Sequence, residues 1–145
     1  MKQNYAVYKE IGINTSQPLK LVIMLYDGAI TFLKKSIEYA ENKDIKNKNI
    51  YANKALDIIN ELNHYLNMEE GGEVAQNLRS LYLFMARHLM KSNWDNHLQG
   101  LNEVIQLLAN LREAWQDIYQ NSSDSKQTAP SRTEYRTAYQ SGFRV

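Results

Sequence analysis

Glu61 and His64 stand three residues apart, a spacing that sets a carboxylate and an imidazole on one face of a helix. In helical bundles such a Glu-x-x-His pair contributes one part of a di-metal centre, which also needs a second such pair and further inward glutamates. The remaining histidines, His88 and His97, have Met85 and Trp94 three positions before them, so the ligand set is incomplete. Glu61 and His64 flank Leu62 on the polar side of the segment and read as a solvated face; no metal or other cofactor is assigned. Nucleophilic catalysis has no better footing. The chain has no cysteine, which removes thiolate chemistry and disulfides together, and no serine sits in a Gly-x-Ser-x-Gly turn. Gly71-Gly72 is an isolated pair before a helical pattern, a turn rather than a phosphate loop. Lysines and arginines number 17 against 16 acids, for a net charge of +1, and they are dispersed singly or in pairs such as Lys34-Lys35. That pattern lacks the dense basic patch that phosphate neutralisation requires. The residues therefore point to a binding protein, neither an enzyme nor a nucleic-acid reader.

The elements that would carry such binding are helices. A chain of 145 residues is one domain's worth. Asn14, Thr15 and Ser16 precede Pro18, where Thr15 or Ser16 can cap a helix with proline in its first turn. From there Leu19, Val22, Tyr26, Ala29, Leu33, Ile37 and Ala40 recur at threes and fours, predicting a helix to about residue 42. Asp44 can cap a second helix with core positions Ala52, Ala55, Ile59, Leu62 and Leu66. A turn is expected over Glu69, Glu70, Gly71 and Gly72. Val74, Leu78, Leu81, Met85 and Leu89 mark a third helix ending near Ser92 and Asn93, after which Asp95 or Asn96 can cap a fourth carrying Leu101, Val104, Leu108, Leu111, Trp115 and Ile118. Short links favour antiparallel neighbours, so the expected fold is all-α: an antiparallel up-down four-helix bundle with N- and C-terminal appendages. The division is 1–16 as an N-terminal cap segment, 17–121 as the bundle, and 122–145 as a linker followed by a tail. No repeat of a solenoid period occurs. The longest apolar run, Leu21 to Tyr26, is far short of the roughly 18 residues of a membrane span, and no apolar leader opens the chain. Without membrane insertion or disulfides, the expected location is the cytoplasm.

These helices carry more apolar surface than one core stripe uses. Leu21, Leu25, Gly28 and Phe32 form a second stripe on the first helix, extended by Tyr39. Either that helix meets neighbours on two sides, or the stripe lines a groove for a partner's amphipathic segment, with Gly28 allowing close backbone approach. Tyr51, Ile58 and Tyr65 stand seven apart on the second helix, and Tyr82, Leu83 and Phe84 exceed one face of the third. Tyr5, Tyr8 and Ile11 recur every three residues in a segment too short to fold alone, which suits a cap lying over the groove until a partner displaces it. In the tail, Tyr135, Tyr139 and Phe143 with Arg132, Arg136 and Arg144 fit either a short amphipathic helix or a disordered end.

The first helix and its lead-in, NYAVYKEIGINTSQPLKLVIMLYDGAITFL, resemble the opening of the FliS flagellar chaperones. ALDIINELNHYLN, NLRSLYLFMARHLMKSN and LREAWQ resemble later stretches of that family, so the likeness spans about residues 4 to 120. The resemblance implies an antiparallel bundle of four main helices that binds the C-terminal segment of flagellin in the cytosol, prevents its premature polymerisation and delivers it to the flagellar export gate. By position, Tyr5 and Tyr8 match the family's N-terminal aromatic cap, and Leu25, Tyr26, Asp27 and Gly28 match its first-helix signature. Leu81, Tyr82 and Met85 match the third-helix motif, and Trp115 the fourth. The expected partner-binding set is then Tyr5, Tyr8, Ile11, Leu21, Leu25, Gly28, Phe32, Tyr82, Met85 and Trp115. Two other uses of such a bundle stay open: a self-associating structural protein, including a homodimer of the free chain, and a cofactor-binding bundle enzyme.

Overall fold

A computed structural model describes residues 18–121. Tyr5, Tyr8, Ile11, the capping candidates Thr15 and Ser16, and the C-terminal aromatics Tyr135, Tyr139 and Phe143 lie outside the described residues. Four helices follow in chain order: α1 (Pro18–Glu41), α2 (Ile45–His64), α3 (Met68–Trp94) and α4 (Leu98–Gln120). Three-residue connections, 42–44, 65–67 and 95–97, leave room only for reversal of direction. Each helix packs against its chain neighbours and α1 against α4, so the four occupy the corners of a square in sequence order.

The expected stripes meet in one core, except at their outer ends, where Val74 of α3 and Ile118 of α4 are exposed. Tyr26, Ala29 and Leu33 of α1, Ala52, Ala55, Ile59 and Leu62 of α2, Tyr82, Met85 and Leu89 of α3, and Leu101, Val104 and Leu108 of α4 are buried in a single cluster. Fully burying one such leucine contributes about 1.5–3 kcal/mol. Two polar groups enter this interior with partners. Ser36 Oγ donates to the carbonyl of Lys48 at 2.8 Å, and the buried Lys48 sends its ammonium to the carbonyl of Asn93 at 2.7 Å. Burial pulls that amine below its usual range, while the last turn of α3 offers the negative end of a helix dipole to hold the charge.

Two of the connections share one geometry. α1 ends with Lys43 in the left-handed region (φ 61°), its N–H donating to the Ala40 carbonyl while the Asp44 N–H reaches that of Tyr39. At the end of α3, Asn96 (φ 55°) and His97 repeat this pattern onto Asn93 and Ser92. Both are Schellman stops, and the residue that completes each is also the N-cap of the next helix. Asp44 fills that role as expected: its carboxylate accepts the Asn47 side-chain amide at 2.8 Å and the Asn47 backbone N–H at 3.1 Å. The cap of α4 differs from the expectation. Asp95 and Asn96 are consumed in ending α3, leaving His97 at the cap position with no side-chain hydrogen bond.

The expected Glu69–Gly72 turn is also shorter than predicted. Asn67 caps a helical turn by accepting the Glu70 N–H at 3.0 Å, and Glu69 and Glu70 suit the positive end of a helix. Only Gly72 (φ 53°, ψ −130°) breaks the run, a conformation that glycine reaches without a Cβ penalty.

The α3–α4 crossing depends on Gly100. A Cβ there would lie 2.6 Å from Ser92 Cβ and 1.9 Å from its Oγ, so the two backbones touch only because residue 100 has no side chain. Gly100→Ala is expected to lower the unfolding free energy by about 1–3 kcal/mol in urea titrations. Adding Ser92→Ala restores little, because the Cβ of residue 92 remains.

Asp44 gives a prediction with a definite pH sign. The Asn47 side-chain amide, then its backbone N–H, hold the carboxyl below its ordinary value. A depressed carboxyl adds stability that is present above its unfolded pKa and lost as pH falls through the folded one. Asp44→Ala therefore lowers the melting temperature at neutral pH, and its gap from the parent closes in acid. Asp44→Asn keeps a neutral cap, so its gap at neutral pH is smaller, and it shrinks in acid over the same range; a gap constant into acid in either variant would exclude the carboxylate as the source.

Candidate partner-binding seam

Turning the Tyr26 row of α1 inward leaves a second row on the flank shared with α2. Leu21, Gly28, Phe32, Lys35 and Tyr39 follow one another at threes, fours and sevens, and so do Tyr51, Lys54, Ile58, Glu61 and Tyr65 on α2. The two rows meet. The Phe32 and Tyr51 rings lie 5.8 Å apart and tilted, and Tyr39 stacks on Tyr51 at 5.4 Å. Lys54 Nζ sits 5.5 Å from the Phe32 ring centre, and Lys35 Nζ 5.3 Å from that of Tyr51. All three rings are half-buried. Each lysine lies over an aromatic face, where ring quadrupole and charge attract, and keeps donors facing solvent.

Toward the other end the seam turns aliphatic. Leu21, Gly28 and Ile58 are buried and Tyr65 is half-buried. Glu61 is buried as well, which corrects its assignment to a solvated face, while His64 one turn on is exposed. Burial raises the carboxyl of half-buried Asp57, with Lys54 opposing the shift. Among the described residues no group of three or more His, Asp or Glu side chains is placed to hold a metal ion.

Of the partner-binding residues expected from the sequence, the seam brings together Leu21, Gly28 and Phe32. Leu25 is a core side chain at the α1 position just inside it, and Tyr82 and Met85 are in the bundle centre. Trp115, half-buried on α4, donates from Nε1 to the Tyr26 hydroxyl at 3.1 Å, and the Tyr26 and Tyr82 hydroxyls are hydrogen-bonded to each other. Burial pushes both phenols up from their usual range, so they stay protonated.

A second concavity, of about 430 Å³, lies between α1 and α4 and is lined by Lys20, Ile23, Met24, Asp27, Arg112, Gln116 and Tyr119. Arg112 bridges it with a forked ion pair to Asp27, and Lys20 donates to the Tyr119 hydroxyl at 3.0 Å. Sequence reasoning singled out only Asp27 here. The signal it passed over is the seven-residue spacing of Lys20 and Asp27 on α1, matched by Arg112 and Tyr119 on α4. No helix among the described residues is long and apolar enough to cross a membrane.

The seam's sequence frame has relatives. The family model described as flagellar protein FliS matches residues 1–122. The flagellar secretion chaperone FliS of Salmonella typhimurium is 38% identical over 115 residues, covering 79% of this chain and 85% of that protein. The FliS proteins of Vibrio cholerae and Bacillus subtilis are 34% and 33% identical, each match covering 81% of this chain and 90% and 86% of theirs. A family match that takes in all of α1 to α4, together with relatives above 30% identity over most of both chains, means that this chain belongs to the FliS family of flagellar proteins.

Proposed function

We propose that this chain is a flagellar export chaperone that binds the C-terminal amphipathic segment of flagellin along the α1/α2 seam. It acts in the cytoplasm, keeps that segment from polymerising, and delivers it to the export apparatus. The observation that carries this reading is the seam itself: Phe32, Tyr39 and Tyr51 make a half-buried aromatic face rimmed by Lys35 and Lys54 on a bundle whose core is closed. Aromatic anchors of this kind dominate the energetics of recognition surfaces, and an unfolded amphipathic segment gains most by laying its apolar side on a rigid face while it orders. The secretion-chaperone naming of the relatives supports the same role.

In the free chain the segment carrying Tyr5, Tyr8 and Ile11 covers the seam until flagellin displaces it. The every-third spacing of Tyr5, Tyr8 and Ile11, aromatic and aliphatic side chains in an otherwise polar stretch, supports this. Such a cap lowers affinity by the fraction of time the seam is closed, and it lowers self-association through the same surface.

Calorimetric titration of the full chain with a flagellin C-terminal fragment tests the seam. Lys54 is exposed and Phe32 half-buried at the bundle's edge, so Lys54→Glu and Phe32→Glu leave the circular dichroism of the bundle intact; Phe32→Glu weakens binding about tenfold or more. Wild-type affinity in the folded Phe32→Glu variant would remove the seam as the flagellin site. Deleting residues 1–12 is expected to tighten flagellin binding and speed hydrogen exchange at the seam. If instead light scattering of the deleted chain showed a dimer that flagellin does not dissociate, self-association would be the seam's use.

A further inference from the structure

Leu83, Met90 and Trp94 remain exposed on α3, at 42%, 48% and 87% of their surfaces. They fall at i, i+7 and i+11, one row of the helix, and Arg79 and Arg87 belong to the same row four residues to either side of Leu83. Arg79 Nε donates to Asn63 Oδ1 of α2 at 3.4 Å, and Asn93 Nδ2 to Asn49 Oδ1 at 3.1 Å, which sets the row on the α2 side of α3. From α2 the same face receives Ile45, half exposed and near Trp94 at the same end of the bundle, followed by Asn49, Asn53 and Asn60. Single exposed apolar residues are ordinary; a row of three joined by a fourth from the next helix is a patch. It lies on the flank of α2 opposite the seam with α1.

The charge of this face is one-sided. Neither row contains a carboxylate, while Arg79 and Arg87 supply cations; beside Ile45, Asp44 and Lys46 offset each other. Arg79 bonds a neutral amide, and Arg87 forms no ion pair among the described residues. Nearby acids are engaged elsewhere: Asp95 pairs with Lys91 at 3.1 Å, and Asp57 lies beside Lys54 on the outer side of α2. A second copy of the chain docked across a two-fold axis would set Arg79 and Arg87 against their own images. The chain's own 129–145 stretch carries Arg132, Arg136 and Arg144 against the single acid Glu134, so it too is of the wrong sign.

We propose that the α2/α3 face docks an acidic amphipathic helix of a partner protein, with Leu83, Met90 and Trp94 receiving its apolar row and Arg79 and Arg87 its flanking carboxylates. An indole this exposed, two turns along the helix from Arg87, has the composition of an interface anchor, and the row's seven-residue spacing fits a helix laid along α2 and α3. Because this face and the seam lie on opposite flanks of α2, both can be occupied together.

A synthetic helical peptide of roughly 20 residues with leucines on one face and glutamates flanking them serves as the probe, with a lysine-for-glutamate version as its control. Titrated into the full chain, the glutamate peptide is expected to shift Trp94 emission to the blue and to bind at least about tenfold more tightly than the lysine peptide. The Met90→Ser/Trp94→Ser double variant, folded by circular dichroism, loses that affinity in calorimetry, Arg87→Glu reverses the preference between peptides, and saturating flagellin fragment leaves it unchanged. The proposal is overturned if neither peptide binds, if both bind alike, or if Phe32→Glu rather than the Met90/Trp94 variant abolishes binding. A chain that binds the peptide but not flagellin would refute the seam assignment and leave this one standing.

Discussion

Three polar aromatic atoms in the middle of the bundle set the orientation of everything around them. The Tyr26 hydroxyl accepts from Trp115 Nε1 and is hydrogen-bonded to that of Tyr82, and the two phenols are almost wholly enclosed. A buried hydroxyl without a partner costs about 1–3 kcal/mol, so each of these groups is stable only while the other helices hold theirs in place. The triad ties α1 to α3 across the diagonal of the square, where helix backbones barely touch, and to α4 along an edge. Rotating α1 by one residue would break it. That requirement, rather than general hydrophobicity, decides which apolar row of α1 faces inward and which is left for the seam with α2.

Surface chemistry follows from this choice. With Tyr26 turned in, Asp27 necessarily faces α4, where Arg112 meets it, and Phe32 faces α2, where Tyr51 meets it. The LYDGA stretch is thus one helical turn seen from three sides: a core contact, an interhelical ion pair and a buried glycine next to the seam. Exposed ion pairs of the Asp27–Arg112 kind contribute little stability, at most about 1 kcal/mol, so their value lies in fixing the α1/α4 register.

Much of this was legible in the sequence, for reasons that differ by element. Each helix declared itself because a 3.6-residue period needs no knowledge of its neighbour, and Asp44 was readable as a cap because capping is local. Asp95 and Asn96 were misread for the opposite reason: two adjacent polar residues can end one helix or begin the next, and the left-handed conformation of Asn96 settles the matter in favour of ending. Glu61 carried every mark of a solvated side chain, yet it is buried, because enclosure depends on which surface comes to lie over a row. The second stripe of α1 reads as surplus from periodicity, yet Leu21, Leu25 and Gly28 are buried and Phe32 packs on Tyr51 of α2, so α1 meets neighbours on two sides; periodicity has no means of separating Leu25, which goes into the core, from Leu21 and Phe32, which border the seam. Pairings such as Asp27 with Arg112, 85 residues apart, have no local signature at all.

The two helix stops at residues 43 and 96 lie at the same end of the bundle, and Lys48 pins that end further by reaching from α2 to the last carbonyls of α3. Among the described residues the opposite end has no equivalent: there α3 begins with a single turn that Gly72 separates from the rest of the helix. Local stability in proteins is uneven, and opening starts where hydrogen bonds are fewest and backbone freedom is greatest. The bundle is therefore hinged like a clothes peg, rigid where α1 passes into α2 and yielding where α2 passes into α3. On the proposed seam, thermal fluctuation would loosen a bound segment first from the aliphatic, Leu21–Tyr65 end, with the aromatic end around Tyr51 the last to let go.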